Sequence, residues 1–271
     1  MNPIFPLDKT ICVVDGSGYF FRAYYAIRSL SNSQGLPTNA VYGFATTLLK
    51  LLKEWKPQYM AVAFDRKEPS FRKEIYSQYK ANRQAPPEDL ILQIPYIKEV
   101  VNALQILSLE KAGFEADDMI ASVSAYAKKN GLYCVVFSGD KDLLQLVDDT
   151  TAVYDAPKET LYDKQAVYQR YELYPEQLLD MLALAGDSAD NIPGVKGIGE
   201  KTAISLLKEF GSLDNIYNNL ANLKNKKTQE KLTKSKNEAY LSKSLVLLRY
   251  DVPVDLNLAE CKISYNQDKV V

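Results

Sequence analysis

Acidic residues follow apolar runs in this sequence, at spacings that suit metal chemistry. Asp15 follows ICVV, Asp65 follows MAVAF and Asp140 follows CVVFSG. Each run is typical of a buried parallel strand, and open α/β sheets bind ligands at the carboxyl ends of such strands. The segments EADD and GDSAD add further acids. The full set of candidates comes from five segments: Asp15, Asp65, Glu115, Asp117, Asp118, Asp140, Asp142, Asp187 and Asp190.

Any one of these acids could be only a turn former or a helix cap. Several converging carboxylates, however, repel one another unless divalent cations neutralise them. The sequence contains no histidine, which excludes Ser–His and Cys–His catalysis and histidine-ligated zinc. An all-carboxylate set favours Mg²⁺ or Mn²⁺, and two such ions about 4 Å apart would support in-line cleavage of a phosphodiester.

A basic insertion follows Asp65 directly. Residues 65–83 carry six Lys or Arg residues against three acids, a local charge of +3. A charge run of this kind is often only a solvated surface. Its position beside a strand-end acid instead favours a role for Arg72, Lys80 and Arg83 in holding a phosphate, with Tyr79 stacking on a base.

A glycine-rich stretch, IPGVKGIGEKTA, follows the GDSAD acids. It is not a Walker A loop because Glu200 occupies the lysine position, and it does not have the spacing of a dinucleotide-binding fingerprint. We interpret it as a helix–hairpin–helix type turn whose backbone N–H groups hold the phosphates of one DNA strand without reading bases. The candidate DNA-binding residues of the turn are Gly194, Lys196, Gly197, Gly199, Lys201 and Thr202.

The elements that would position these residues alternate along the first part of the chain. Apolar runs predict strands at 10–15, 58–65, 106–110, 132–138 and 151–156. Between them, the sequence predicts helices from a Thr38 cap to about Trp55, from Glu88 to Gln105 with a break or kink at Pro95, and from about Glu115 to Lys129. This alternation predicts a mostly parallel α/β sheet covered on both faces, followed from about Tyr162 by short helices.

The composition is that of an ordinary globular protein, with 46% hydrophobic and 25% charged residues and a net charge of −1. A second basic run, 222–238, carries six lysines against two glutamates, a local charge of +4. Three distant cysteines predict neither disulfides nor a zinc site, and Cys12 and Cys134 are expected in the core. The N-terminus lacks a signal sequence and no apolar run is long enough to span a bilayer, so we expect a cytoplasmic protein.

The order of the motifs resembles a known family. VVDGS, FRAYYA, AFD, YKANR, EADD, SGDKDLLQLV and LAGDSADNIPGVKGIGEKTA together are similar to the 5′ nuclease domain at the amino end of bacterial DNA polymerase I, a relative of flap endonucleases. The resemblance covers roughly residues 8–255. It implies a PIN-like nuclease fold with a helix–three-turn–helix DNA-binding motif.

The resemblance also implies roles for individual residues. The nine acids would bind two Mg²⁺ or Mn²⁺ ions, and Arg72, Tyr79, Lys80 and Arg83 would belong to an arch, residues 66–87, that admits a 5′ single strand. The turn at 191–203 would hold the duplex and could bind K⁺ through its carbonyls. The implied activity is a 5′-3′ exonuclease and flap endonuclease acting in primer removal, replication and repair, on DNA with 5′ flaps, nicks or RNA–DNA junctions.

These patterns predict three regions: a nuclease core at 1–161, a helical DNA-binding region at 162–255 and a tail or linker at 256–271. The resemblance further implies a monomer near the bacterial nucleoid, which is either part of a longer polymerase or a free-standing paralogue. Two alternatives stay open at this point. One is a catalytically silent junction-binding paralogue, and the other is a phosphatase or phosphotransferase, which would not explain the hairpin turn.

Overall fold

A six-stranded sheet forms the centre of the molecule, which a computed structural model describes over residues 4–254 and 256–264. The strand order is β3-β2-β1-β4-β5-β6; β1 to β5 run parallel and β6 is antiparallel to β5. The strands are β1 (Thr10–Asp15), β2 (Tyr59–Ala63), β3 (Leu107–Leu109), β4 (Tyr133–Phe137), β5 (Thr151–Asp155) and β6 (Thr160–Tyr162). The predicted fold class is confirmed.

Twelve α-helices surround this sheet within the described residues. The first six accompany the parallel strands: α1 (Gly16–Ala26), α2 (Asn39–Trp55), α3 (Arg72–Ile75), α4 (Glu88–Ile91), α5 (Ile94–Ala103) and α6 (Ala116–Lys129). The other six form the helical region: α7 (Lys164–Tyr171), α8 (Pro175–Ala185), α9 (Glu200–Phe210), α10 (Leu213–Asn218), α11 (Lys226–Lys234) and α12 (Lys236–Val246). None of the described helices is long and apolar enough to cross a membrane.

Alternate side chains of each central strand pack into two different cores. Cys12 and Val14 of β1 face one core, which α1, α2 and α5 cover. Ile11 and Val13 face the other, which α6 covers and which continues through the helical region as far as Val252. The helical region therefore shares a hydrophobic core with the sheet.

Two of the three cysteines lie in these cores, Cys12 in the first and Cys134 in the second. All three are free and buried, as the sequence predicts for Cys12 and Cys134. Cys261 lies in a short segment that pairs with the start of β2, where its carbonyl accepts a hydrogen bond from Met60 N at 2.7 Å. Part of the segment that we interpreted as a tail is thus packed on the sheet, while residues 265–271 lie outside the described part of the chain.

Some element boundaries differ from the prediction. β6 was not predicted as a strand. The predicted helix from 88 to 105 is two helices, because the chain breaks at Leu92 and Gln93, two residues before Pro95. There Gln93 is fully buried and its amide oxygen accepts hydrogen bonds from Ala40 N and Val41 N. Thr38 does precede α2, but its side chain makes no capping hydrogen bond.

Candidate active site

A pocket of about 260 Å³ lies at the carboxyl ends of β1, β2 and β4. Its walls come from these strand ends, the starts of α1 and α6, the arch, the loop that follows α8 and the end of α12. Most of the predicted acids line it: Asp15, Asp65, Glu115, Asp117, Asp140, Asp142 and Asp190. The topology therefore brings together carboxylates that are widely separated in sequence, as the strand-end pattern predicts.

Asp15 is fixed by the turn from β1 into α1. Its side chain accepts hydrogen bonds from Gly18 N at 2.7 Å and from the Ser138 hydroxyl at 2.8 Å. A Cβ atom at position 18 would lie 2.2 Å from Asp15 Oδ2, so only glycine allows this close approach. The small residues of the VVDGSG motif therefore hold a buried carboxylate in one orientation.

The end of β2 and the start of α6 are joined through Asp65. Its Oδ1 accepts a hydrogen bond from Ala116 N at 2.9 Å, and its own backbone N–H donates to Ser17 Oγ at 2.8 Å. Glu115 is the N-cap of α6 and forms a capping box with Asp118. These contacts place the EADD acids beside the strand-end acids.

Five of the acids make no ion pair with any Lys or Arg in the described structure, and we call them the unpaired acids: Asp15, Asp65, Asp117, Asp140 and Asp142. Burial, together with the neighbouring carboxylates, raises the pKa of Asp15 to about 6 and that of Asp142 to about 7. For the same two reasons the pKa of Asp117 lies well above its ordinary value. This part of the pocket holds more negative charge than the described side chains compensate.

The other four acids each contact a basic side chain, and we call them the paired acids: Glu115, Asp118, Asp187 and Asp190. Burial alone would raise the pKa of Glu115, but the charges of Lys80, 2.9 Å away, and of Arg72 outweigh it and lower that pKa. Lys141, at 3.1 Å, likewise outweighs burial and lowers the pKa of Asp187. Arg83 forms an ion pair with Asp190.

Arg72 differs from the expectation that it reaches a substrate phosphate. Its side chain is almost fully buried and donates to both carboxylate oxygens of Asp118, at 2.7 and 2.8 Å. It also donates to the carbonyls of Leu245 and Leu247. Asp118 is fully buried, accepts from Arg249 N as well and does not line the pocket. In this structure, Arg72 and Asp118 thus bind each other and anchor the end of α12.

Tyr79 also differs from its expected role. Its side chain is buried, so it presents no open face on which a base could stack. Its hydroxyl donates instead to Glu115 Oε2 at 3.0 Å. The base of the arch is therefore packed onto the core, and Lys80 and Arg83 are the two predicted arch cations that face the pocket acids with partly exposed side chains.

A divalent cation fits the chemistry of the unpaired acids. The buried Oδ1 of Asp142 has no hydrogen-bond partner among the described residues, and a buried carboxylate oxygen without a partner is costly. No three acidic or cysteine side chains of the described chain stand close enough to form a ready-made metal site. Neighbouring carboxylates raise one another's pKa unless a cation neutralises them, and an all-oxygen donor set suits Mg²⁺ or Mn²⁺.

The glycine-rich turn lies between α8 and α9. Gly194, one of its predicted DNA-binding residues, is buried, and its N–H donates to Ser242 Oγ at 2.9 Å, so this group is not available to a phosphate. A Cβ at position 194 would lie 2.4 Å from Gly186 N, which explains the glycine by close packing. The remaining predicted residues of the turn are at least partly exposed: Lys196, Gly197, Gly199, Lys201 and Thr202.

Several residues of the site were not singled out from the sequence. Ser17 and Ser138 orient the strand-end acids, and Lys141 pairs with Asp187. The two serines stand inside the motifs VVDGS and SGDKD, and their closeness in sequence to Asp15 and Asp140 could have identified them as site residues. Lys141 lies between Asp140 and Asp142, but its partner is distant in sequence and the pairing has no local signal.

Family comparisons agree with this architecture. A model described as "5′-3′ exonuclease, N-terminal resolvase-like domain" matches residues 10–172, and one described as "5′-3′ exonuclease, C-terminal SAM fold" matches residues 173–269. A protein named 5′-3′ exonuclease from Aquifex aeolicus is 40% identical over 94% of this chain and 87% of its own length. DNA polymerase I of Bacillus subtilis is 42% identical over 97% of this chain, which spans only 30% of that polymerase.

A solved structure shows the same fold. The bacteriophage T5 flap endonuclease, crystallised in a pseudo-enzyme–product complex with DNA and metal ions, superposes with a TM-score of 0.72 and 26% identity, over 88% of each chain. Relatives thus include both a protein of similar length named 5′-3′ exonuclease and much longer DNA polymerases. The acidic pocket at the sheet edge, the helical region and these matches agree with the nuclease resemblance, and the chain belongs to the 5′-3′ exonuclease family.

Proposed function

We propose that the chain is a metal-dependent 5′-3′ exonuclease and flap endonuclease, which hydrolyses phosphodiester bonds of DNA near junctions of single strand and duplex. The observation that carries the proposal is the group of unpaired acids at the sheet edge, which faces the cations Lys80 and Arg83 across one pocket. Membership of the family and the metal ions and DNA bound by the T5 enzyme support it.

The unpaired acids would hold the metal ions, with Glu115 and Asp190 completing the set from the arch side of the pocket. Asp187 is not among the residues that line the pocket, and it pairs with Lys141. When bound, two Mg²⁺ or Mn²⁺ ions supply a nucleophile at neutral pH and neutralise charge on the reacting phosphate. The carboxylates of this chain fix where such ions bind, and Ser138 and the Gly18 N–H fix the orientation of Asp15.

Lys80 and Arg83 would bind the phosphate that is cut. Lys80 now contacts Glu115 and Arg83 contacts Asp190. When these carboxylates hold metal ions, the two basic side chains would be free to bind phosphate. Their positions above the strand-end acids place positive charge beside the reacting group, where it stabilises the transition state most.

The turn at 191–203 would hold the duplex. Gly199 is the N-cap of α9 and has no side chain to accept hydrogen bonds from the first N–H groups of the helix, so these donors suit a phosphate. Lys196 and Lys201 add salt-sensitive attraction. The resemblance also allows K⁺ at this turn. The Gly197 carbonyl, however, already accepts a hydrogen bond from Lys231 Nζ at 2.8 Å, so the proposed DNA contacts do not include that ion.

The biological setting follows from the same proposal. Removal of RNA primers and 5′ flaps in replication and repair needs a nuclease that recognises a junction and not a base sequence, which backbone contacts provide. We further propose that the protein acts as a monomer and, where it forms part of a longer chain, beside a linked polymerase like that of its Bacillus relative.

Cleavage of a 5′-labelled flap duplex tests the proposal. The purified protein is incubated with Mg²⁺, Mn²⁺ or EDTA, and the size of the released fragment is measured. We expect cuts within about one nucleotide of the junction with either metal and none with EDTA. Binding without cleavage under every metal would contradict the proposal and support a silent junction-binding paralogue.

A further inference from the structure

Hydrogen bonds join the base of the arch to the loop after α8, and we call this contact the seam (residues 78–83 against 188–191). Two asparagine side chains cross it in opposite directions. Asn82 Nδ2 donates to the carbonyl of Ser188 at 2.6 Å, and Asn191 Nδ2 donates to the carbonyl of Gln78 at 2.7 Å. Between them, Lys80 N donates to the carbonyl of Asp190 at 2.8 Å.

The backbone on each side of the seam has an unusual conformation. Lys80 has a φ of 53° and Asn191 a φ of 55°, both in the left-handed region. Residues with a Cβ atom rarely adopt this region, although asparagine does so more readily than most. Lys80 is therefore held in an unfavourable conformation at the point where its N–H meets the loop, and persistence of such a conformation requires surrounding contacts that fix it.

The seam lies directly beside the groups that would bind the reacting phosphate. Lys80 Nζ is 2.9 Å from Glu115 and 3.8 Å from Asp190, and Arg83 contacts Asp190. Neither Asn82 nor Asn191 lines the pocket. Their side chains are thus placed to fix the arch backbone and not to contact the reacting atoms.

The loop side of the seam continues into the glycine-rich turn. Asp187 and Ile192 exchange two backbone hydrogen bonds, of 3.0 and 2.8 Å, and close the loop. The tight contact between Gly186 and Gly194 then ties the loop to the end of α8. A change of position at the turn would therefore reach the base of the arch through a short, well-packed segment.

We propose that Asn82 and Asn191 are positioning residues for cleavage, which hold Lys80 and Arg83 over the acids in register with the duplex-binding turn. This inference rests on the proposed function. The asparagines of the YKANR and GDSADN motifs thereby gain a role in cleavage, although neither one lines the pocket. Through the seam, a duplex held by the turn would meet arch cations that are already in place.

The test uses Asn191→Gly and Asn82→Ala on the flap duplex. Glycine accepts the left-handed backbone at 191, so that variant removes the side-chain hydrogen bond without adding strain. We expect the single-turnover rate to fall roughly threefold to tenfold in each variant, the size of one lost hydrogen bond, while the DNA dissociation constant in EDTA stays within about twofold. Asn130→Ala is the matched control, because Asn130 also donates to a backbone carbonyl, at the opposite end of α6.

A double-mutant cycle separates positioning from general structure. Lys80→Met combined with Arg83→Met removes both arch cations, so if the asparagines act by positioning them, Asn191→Gly should change the rate much less in that background than in the natural protein. Equal losses in both backgrounds, or no loss in the natural one, would overturn the proposal.

Limited digestion with trypsin tests the seam without nuclease activity. Cleavage after Lys80 and Arg83 should be faster in Asn191→Gly than in the natural protein and unchanged in Asn130→Ala. If the natural protein did not cut DNA, the proposed function would fail, but this digestion experiment could still be read. Unchanged digestion of Asn191→Gly would then refute the inference that the asparagines fix the base of the arch.

Discussion

The unpaired and paired acids of the same pocket are held in opposite electrostatic surroundings. The unpaired acids stand mostly at strand ends, where burial and mutual repulsion raise the pKa of Asp15 and Asp142. The paired acids lie toward the arch and the loop after α8, and basic partners lower the pKa of Glu115 and Asp187. The difference separates carboxylates whose charge the described basic side chains do not compensate from those whose charge they do.

The largest effect should come from removing an unpaired acid. Asp117→Asn removes one carboxylate charge from the site that would hold the metals, so we expect the single-turnover rate to fall at least about a thousandfold, equivalent to roughly 4 kcal/mol. DNA binding in EDTA should change little. The control is Asp149→Asn, an exposed acid that pairs with Lys164 away from the pocket. A rate within tenfold of the natural protein would remove Asp117 from the metal site.

Removing a partner from a paired acid should instead affect folding. Arg72→Met leaves the buried Asp118 carboxylate without its cation, and the free energy of unfolding should fall by about 3 kcal/mol, as for other broken buried ion pairs. Urea denaturation measures this. Arg66→Met breaks an exposed ion pair with Glu68 in the same arch and should change the free energy of unfolding much less, because water screens exposed pairs. Equal losses of free energy of unfolding in the two variants would mean that the buried ion pair contributes no more to stability than the exposed one.

A smaller effect should distinguish the two groups by pH. In EDTA, the folded-state pKa values of Asp15 (about 6) and Asp142 (about 7) exceed the ordinary value of 3.8, so the folded protein binds more protons than the unfolded chain between about pH 4 and 7. Stability from these groups therefore falls as pH rises through that window. The paired acids Glu115 and Asp187 have lowered pKa values and lose their contribution only below it.

Asp142→Asn removes one of these groups and should stabilise the metal-free protein relative to the natural protein at pH 7.5. The difference in free energy of unfolding between the two proteins should be larger at pH 7.5 than at pH 5 by on the order of 2 kcal/mol. Urea denaturation at the two pH values measures the difference, with Asp149→Asn as the control. Mg²⁺ added at pH 7.5 should stabilise the natural protein, because it binds the folded state. A stability difference between Asp142→Asn and the natural protein that does not change with pH would contradict the raised pKa.

The sequence allowed most of the sheet and the acidic pocket to be predicted, because apolar runs followed by acids depend on local pattern. It did not predict β6, a three-residue strand at the edge of the sheet that lacks a distinctive run. Nor could it place the break before Pro95 correctly, since that break depends on Gln93 contacting α2, more than 50 residues earlier.

The roles of Arg72 and Tyr79 depend on distant contacts in the same way. A basic, polar insertion indicates an exposed loop, yet the base of this one packs against Asp118, Glu115 and the end of α12. Gly194 is similar: its backbone freedom could be recognised from the sequence, but its contact with Gly186 and Ser242 could not.

The order of strands also affects how the chain folds during synthesis. β1 is the middle of the parallel sheet, with β2 on one side and β4 on the other, and β4 is translated about 120 residues after β1 ends. At typical translation rates, the backbone N–H and C=O groups on one edge of β1 remain without their partner strand for roughly 6 to 24 seconds. A nascent chain at this stage exposes a strand edge that can pair with other chains, so the protein is most prone to aggregation before β4 leaves the ribosome.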